Sequence, residues 1–274
     1  MHTHPSLRFL LASLLASLVL PALVLLTGCG RKARENLLRL GVIGGPEEQL
    51  AEIVKRLAKE RHGLDVEIVT FSDYIMPNAA LADGSLDANA FQHRPFLDRQ
   101  ISDRGYKLVV AGNTFVYPIA GYSLRIKSLD ALPGGAKVAV PNDPTNLGRA
   151  LVLLEKQGLV TLKPGAGINA TVLDIVQNPK KLKIFELEAA QLPRTLPDVD
   201  LAVINTTYAG QIGLSPTRDG LFVEDKDSPY VNLIVVREDN KDSPAVRTLV
   251  QTWQTDEVLA AAEKIFPGGV VKGW

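Results

Sequence analysis

Cysteine occurs once in these 274 residues, at Cys29. A single thiol closes no intramolecular disulfide, so the fold must be held by its core. Histidine is nearly as scarce. Past Cys29 only His62 and His93 remain, and no His/Cys/carboxylate cluster has the spacing of a metal site. No glycine loop cradles a phosphate, and Gly44-Gly45 is too short for a dinucleotide fingerprint. No serine sits in a nucleophile elbow. An excess of one charge is missing too, since 30 Lys/Arg oppose 30 Asp/Glu and the two signs interleave along the chain. No basic stripe points to nucleic acid and no acidic tail to a solvating segment. Neither a metal nor a cofactor is expected, and nothing volunteers as nucleophile or general base.

One apolar run is present, and its end is the most informative stretch. Leu10 to Leu26 is almost wholly Leu, Ala, Val and Ser, with Arg8 and histidines ahead of it. The composition then turns abruptly to Gly30-Arg31-Lys32-Ala33-Arg34-Glu35. A transmembrane anchor is one reading, because the run is nearly long enough to span. A secretory signal ending in small residues is the other, and the lone cysteine at the boundary favours it. Leu26-Thr27-Gly28-Cys29 resembles the bacterial lipobox, in which the cysteine becomes the lipidated first residue. We expect a signal peptide over 1–28, a lipidated tether over 29–36, and an exported protein anchored through Cys29.

About 245 residues then remain, enough for a sizeable core and commonly two lobes. Apolar strands alternate with amphipathic helices. Leu37–Ile43 reads as a strand, and Glu47–Arg61 carries Leu50, Ile53, Val54 and Leu57 at helical spacing. Strands follow at 64–70, 86–90, 107–111, 137–140, 181–186 and 200–204. Helices are expected at 72–82, 95–104, 144–157, 245–254 and 256–266, with a short one from Thr206. This rhythm predicts an α/β fold with mostly parallel sheets.

In such sheets ligands sit beyond the strand carboxyl ends, facing helix N-termini. Asn142 to Arg149 directly follows a strand, with Asp143 suited to an N-cap and Pro144 to the first helical turn. Asn146 and Arg149 share one helix face, where an arginine could receive a carboxylate; a solvated surface arginine is the plainer alternative. Phe71, Tyr74, Phe91, His93 and Phe96 follow two strand ends and could wall an apolar side chain, or be core aromatics with His93 capping a helix. Asn205, with Tyr208 close behind, follows the strand Leu201-Ala202-Val203-Ile204 and could be only an N-cap. Asn232 enters the strand 233–236 and could be only turn chemistry.

Four segments carry a stronger signal: Gly84 to His93, Gly112 to Ser123, Ala139 to Arg149 and Ser228 to Leu233. With the closing Val271-Lys272-Gly273-Trp274, they resemble the methionine-binding lipoprotein (MetQ/NlpA) family over essentially the whole chain past the leader. The resemblance implies a two-lobed periplasmic-binding-protein fold, type 2-like, with the ligand cleft between lobes spanning 37–120 plus 233–274 and 121–232. It implies capture of methionine without catalysis and delivery to an ABC importer, permease and ATPase, on the periplasmic side of the inner membrane by a monomer. It places Phe71, Tyr74, Phe91, His93 and Phe96 around the thioether. Asn146, Arg149, Asn205 and Asn232 then hold the carboxylate and amino groups, with Tyr208 a neighbour. In one departure, this chain has Phe96 where the family often has Tyr. Other readings weighed are a binder of another small apolar amino acid or a methionine dipeptide, a surface interaction lipoprotein, and a tethered hydrolase.

Overall fold

The structure, a computed structural model, describes residues 36–225 and 228–274, so the signal peptide and Cys29 lie outside the described residues. Its first strand, β1 (Leu37–Ile43), runs into Gly44-Gly45 and then helix α1 (Pro46–His62). Pro46 occupies the first turn with Glu47 and Glu48, and Gly63 ends the helix in the left-handed conformation. Leu50, Ala51, Val54, Leu57 and Ala58 form its buried stripe. There follow β2 (Asp65–Phe71), α2 (Met76–Ala82), β3 (Ala88–His93), α3 (Arg94–Arg104) and β4 (Leu108–Val116). Helix α2 starts four residues later than the spacing predicts. Asp73 Oδ1 accepts from the backbone N–H of Ile75 (2.7 Å) and Met76 (3.1 Å), turning the chain and holding Tyr74 off the helix.

The chain next builds β5 (Ala120–Tyr122), β6 (Lys137–Pro141), α4 (Pro144–Lys156), the small β7 (Thr161–Leu162) and β8 (Ile175–Gln177) pair, and β9 (Lys183–Leu187). After α5 (Leu192–Thr195) come β10 (Leu201–Ile204), α6 (Thr206–Gln211), α7 (Pro216–Asp219) and β11 (Phe222–Val223). Then β12 (Val231–Arg237), α8 (Pro244–Trp253), α9 (Asp256–Ile265) and β13 (Val271–Lys272) close the chain.

Two main sheets result. The six-stranded one has the order β13-β4-β12-β3-β1-β2, and the five-stranded one β11-β5-β10-β6-β9. The chain passes between them twice, after β4 and before β12. The expectation of mostly parallel sheets is corrected to mixed ones. β1 pairs parallel with β2 and β3, but β12 returns antiparallel between β3 and β4. In the second sheet β6 is parallel to β9 and β10, while β5 is antiparallel to β10 and β11. The strands that return from the other sheet enter in the reverse sense, which alternation along the sequence does not reveal.

Apolar residues of α1, α8 and α9 cover one face of the first sheet in one large cluster, and a smaller cluster at Leu81, Leu97 and Leu233 lies apart from it. The second sheet packs on α4 through Leu147, Leu151 and Leu154. A further cluster mixes residues of both sheets, Ile43, Phe91 and Phe96 with Ala139, Ile204 and Tyr208. No helix among the described residues is long and apolar enough to cross a membrane.

Candidate functional site

The carboxyl ends of β3 and β10, the N-terminus of α4 and the start of β12 meet around one pocket. It is lined by Tyr74, Phe91, Gln92, His93, Phe96, Tyr117, Asn146, Arg149, Asn205, Thr206, Thr207 and Asn232. Eight of the ten ligand-contact residues expected from the sequence therefore share one wall system. Phe71 does not line it; its ring packs toward Gly41, with an edge 3.2 Å from where a Cβ there would lie. Tyr208 stands one layer behind, its ring 4.9 Å from that of Tyr74, its hydroxyl donating to Ser72 O at 3.3 Å. An adjoining pocket carries Tyr208 together with Asp73, Asp143 and Glu188.

One side of the main pocket is aromatic. Phe91 lies 5.9 Å from Phe96 edge-on, and Tyr74 sits 5.8 Å and 6.1 Å from these two rings. His93 serves both readings of it, because it caps α3 and faces the pocket. Its Nδ1 accepts from Phe96 N (3.2 Å), which leaves Nε2–H to donate to Asn146 Oδ1 (3.3 Å). The ring is thus neutral, and burial first, then the Arg149 charge, pushes its pKa down to about 3.

The rest of the lining is largely polar. Asp143 caps α4 by accepting from Asn146 N (2.9 Å), and its carboxylate also takes both contacts of Asn146 Nδ2 (2.9 and 3.1 Å). Asn146 Oδ1 receives Asn205 Nδ2 at 2.9 Å. Asn205 heads α6 without capping it, so its side chain is committed across to α4 instead. Its own Oδ1 is buried and has no partner among the described residues. Arg149 is 4% exposed, which sets aside the solvated-arginine alternative. Its Nε donates to Glu224 Oε1 (2.8 Å) and its Nη2 to Glu224 Oε2 and to Tyr117 O (3.0 Å). The guanidinium lies 4.2 Å over the Tyr230 ring. Nη1 has no acceptor among the described residues.

Sequence reasoning missed Glu224, Gln92, Tyr117, Thr206 and Thr207. Tyr117 and Gln92 lie inside two segments that carried the family resemblance. Glu224 gave no signal, being 75 positions from its arginine and brought there only by β11. Gln92 belongs to a buried amide network with Asn78 and Asn89 (2.6–3.0 Å) that ties α2 to β3. Among the described residues no group of His, Cys, Asp or Glu could hold a metal ion.

Across residues 38–274 the sequence matches the model of the NlpA lipoprotein family. The chain belongs to that family. The D-methionine-binding lipoprotein MetQ of Escherichia coli K12 is 64% identical over 252 residues, 91% of this chain and 93% of that protein. A crystal structure of the methionine-binding protein MetQ superposes with a TM-score of 0.87 at 65% identity, covering 88% of this chain and 99% of that one. A nutrient-binding protein from Burkholderia cenocepacia, solved bound to methionine, gives 0.85 at 53% identity over 86% and 100%. The fold is therefore that of the NlpA-family substrate-binding proteins, α/β with two sheets flanking the pocket.

Proposed function

We propose that this NlpA-family chain is a lipid-anchored binding protein that captures methionine and hands it to an ABC importer, with no catalytic step. One observation carries the reading. Asn205 Oδ1, the Asn232 amide and Arg149 Nη1 have no protein partner among the described residues, yet all three residues line the pocket that the aromatic rings also line. An unspent acceptor, an amide that both donates and accepts, and an unspent cationic donor complement the ammonium and carboxylate of an amino acid. Tyr74, Phe91, Phe96 and His93 offer a thioether the soft contacts that sulfur makes with ring edges.

The lobes in this reading are 37–120 plus 233–274 and 121–232, hinged at the two crossings, and closure around the ligand is what the importer senses. The anchor is diacyl or triacyl lipid on Cys29, and the station is the periplasmic side of the inner membrane. Native mass spectrometry on protein purified without refolding tests the assignment. A bound mass equal to methionine, displaced by isotopically labelled methionine, is expected. A pocket that stays empty and does not bind methionine in calorimetry removes the reading.

A further inference from the structure

Glu47 is a buried carboxylate in the contact between the two sheet units, and it has no cationic partner among the described residues. It sits in the first turn of α1 and is 4% exposed. Its Oε1 accepts from Thr207 Oγ1 (2.6 Å) of α6, across the join, while Oε2 is buried without a partner among the described residues. The same contact is sealed by Gln211 Nε2 donating to Gly44 O (2.8 Å) and by Gly210 lying against the Pro46 ring. Thr207 lines the ligand pocket, so the carboxyl is one side chain removed from it.

The groups facing Glu47 leave its charge uncompensated. Tyr74 from the segment after β2, Tyr117 from the segment after β4, and Tyr208 from α6 feel its charge, and burial pushes each phenol up and keeps it neutral. On its own helix Glu48 is turned away to Thr70 Oγ1 (2.9 Å). Only Thr207 and the backbone N–H of Ile43 offset the loss of water, and the pKa rises to about 8.

We propose that Glu47 is a proton-linked latch on closure: the units close over the ligand with its carboxyl protonated, and opening, which withdraws Thr207 and Tyr208, lets it ionise in water. This rests on the methionine-capture reading above. A carboxyl whose pKa is higher in the closed form favours closure below its ordinary value of 4.5 and loses that contribution as pH climbs through about 8. His93 works in the other sense, since its depressed pKa opposes closure only as pH falls below its ordinary 6.5. From pH 7 to 8 the His93 contribution is small, and Asp143, whose carboxyl burial also pushes up, is told apart by the Glu47→Gln variant.

Calorimetry of methionine binding to the full-length protein, in buffers of differing ionisation enthalpy, measures the protons exchanged. Uptake of roughly one proton per ligand at pH 7 is expected, with affinity about fivefold weaker at pH 8 than at pH 7. In Glu47→Gln, which keeps an acceptor for Thr207, both effects should vanish while binding persists. Binding without proton uptake in the unmodified protein, or uptake unchanged in Glu47→Gln, overturns the latch and leaves methionine capture standing. Absence of methionine binding at every pH defeats the capture reading instead.

Discussion

Arg149 meets the site already holding a carboxylate, and that sets how its removal is read. Arg149→Ala strands Glu224, 14% exposed at its side chain, as an unpaired charge. Breaking such a pair costs about 3–5 kcal/mol of stability, in addition to any loss of ligand. Adding Glu224→Ala should restore most of the melting temperature but not methionine affinity, which should stay down by roughly 30-fold or more. Recovery of affinity in the double variant would show that the arginine serves the fold alone. Asn232 separates more cleanly. From β12 its backbone pairs with His93 of β3, and its side chain is free of protein bonds among the described residues. Asn232→Ala should cost about 1–3 kcal/mol of binding with the apo melting temperature within about 2 °C of the parent. A lowered melting temperature with preserved affinity would make it a structural residue of β12, not a ligand contact.

At the level of elements, α4 carries Asn146 and Arg149 on its first two turns, and its placement depends on Gly148. A Cβ there would lie 2.1 Å from the carbonyl oxygen of Ile168, a backbone atom that cannot swing aside. Gly148→Ala should push α4 off the 167–169 turn, lowering stability by about 1–3 kcal/mol and weakening ligand binding together, as thermal melts and calorimetry would show. Unchanged values for both would mean that the helix shifts without consequence. Elements such as β1 and α1 were legible in the sequence because a buried face repeats at period two or 3.6 over many residues. Strands β5, β7, β11 and β13 were not, since two or three residues carry no period. The site divides in the same way. His93, Asn146 and Asn205 stand at strand ends or helix starts, where position itself is a signal. Glu224 and Glu47 gain meaning only from partners that the fold brings from 75 and 160 positions away.

For the molecule as a whole, a ligand held by residues from both sheet units should stabilise their joint folding. Methionine at 100 times its Kd should add about 2.7 kcal/mol and raise the melting temperature by about 5–10 °C. Scanning calorimetry with and without ligand measures it, and no shift would mean that the pocket does not bind in the folded state. The central strand has a further consequence, for biosynthesis. β12 wedges between β3 and β4, which do not pair with each other, so the first sheet stays split until residue 237 has been made. Closure then spans well over 100 residues, and such non-local pairing is slow. A nascent chain that cannot complete its first sheet remains threadable, which suits the export to the periplasmic side proposed above.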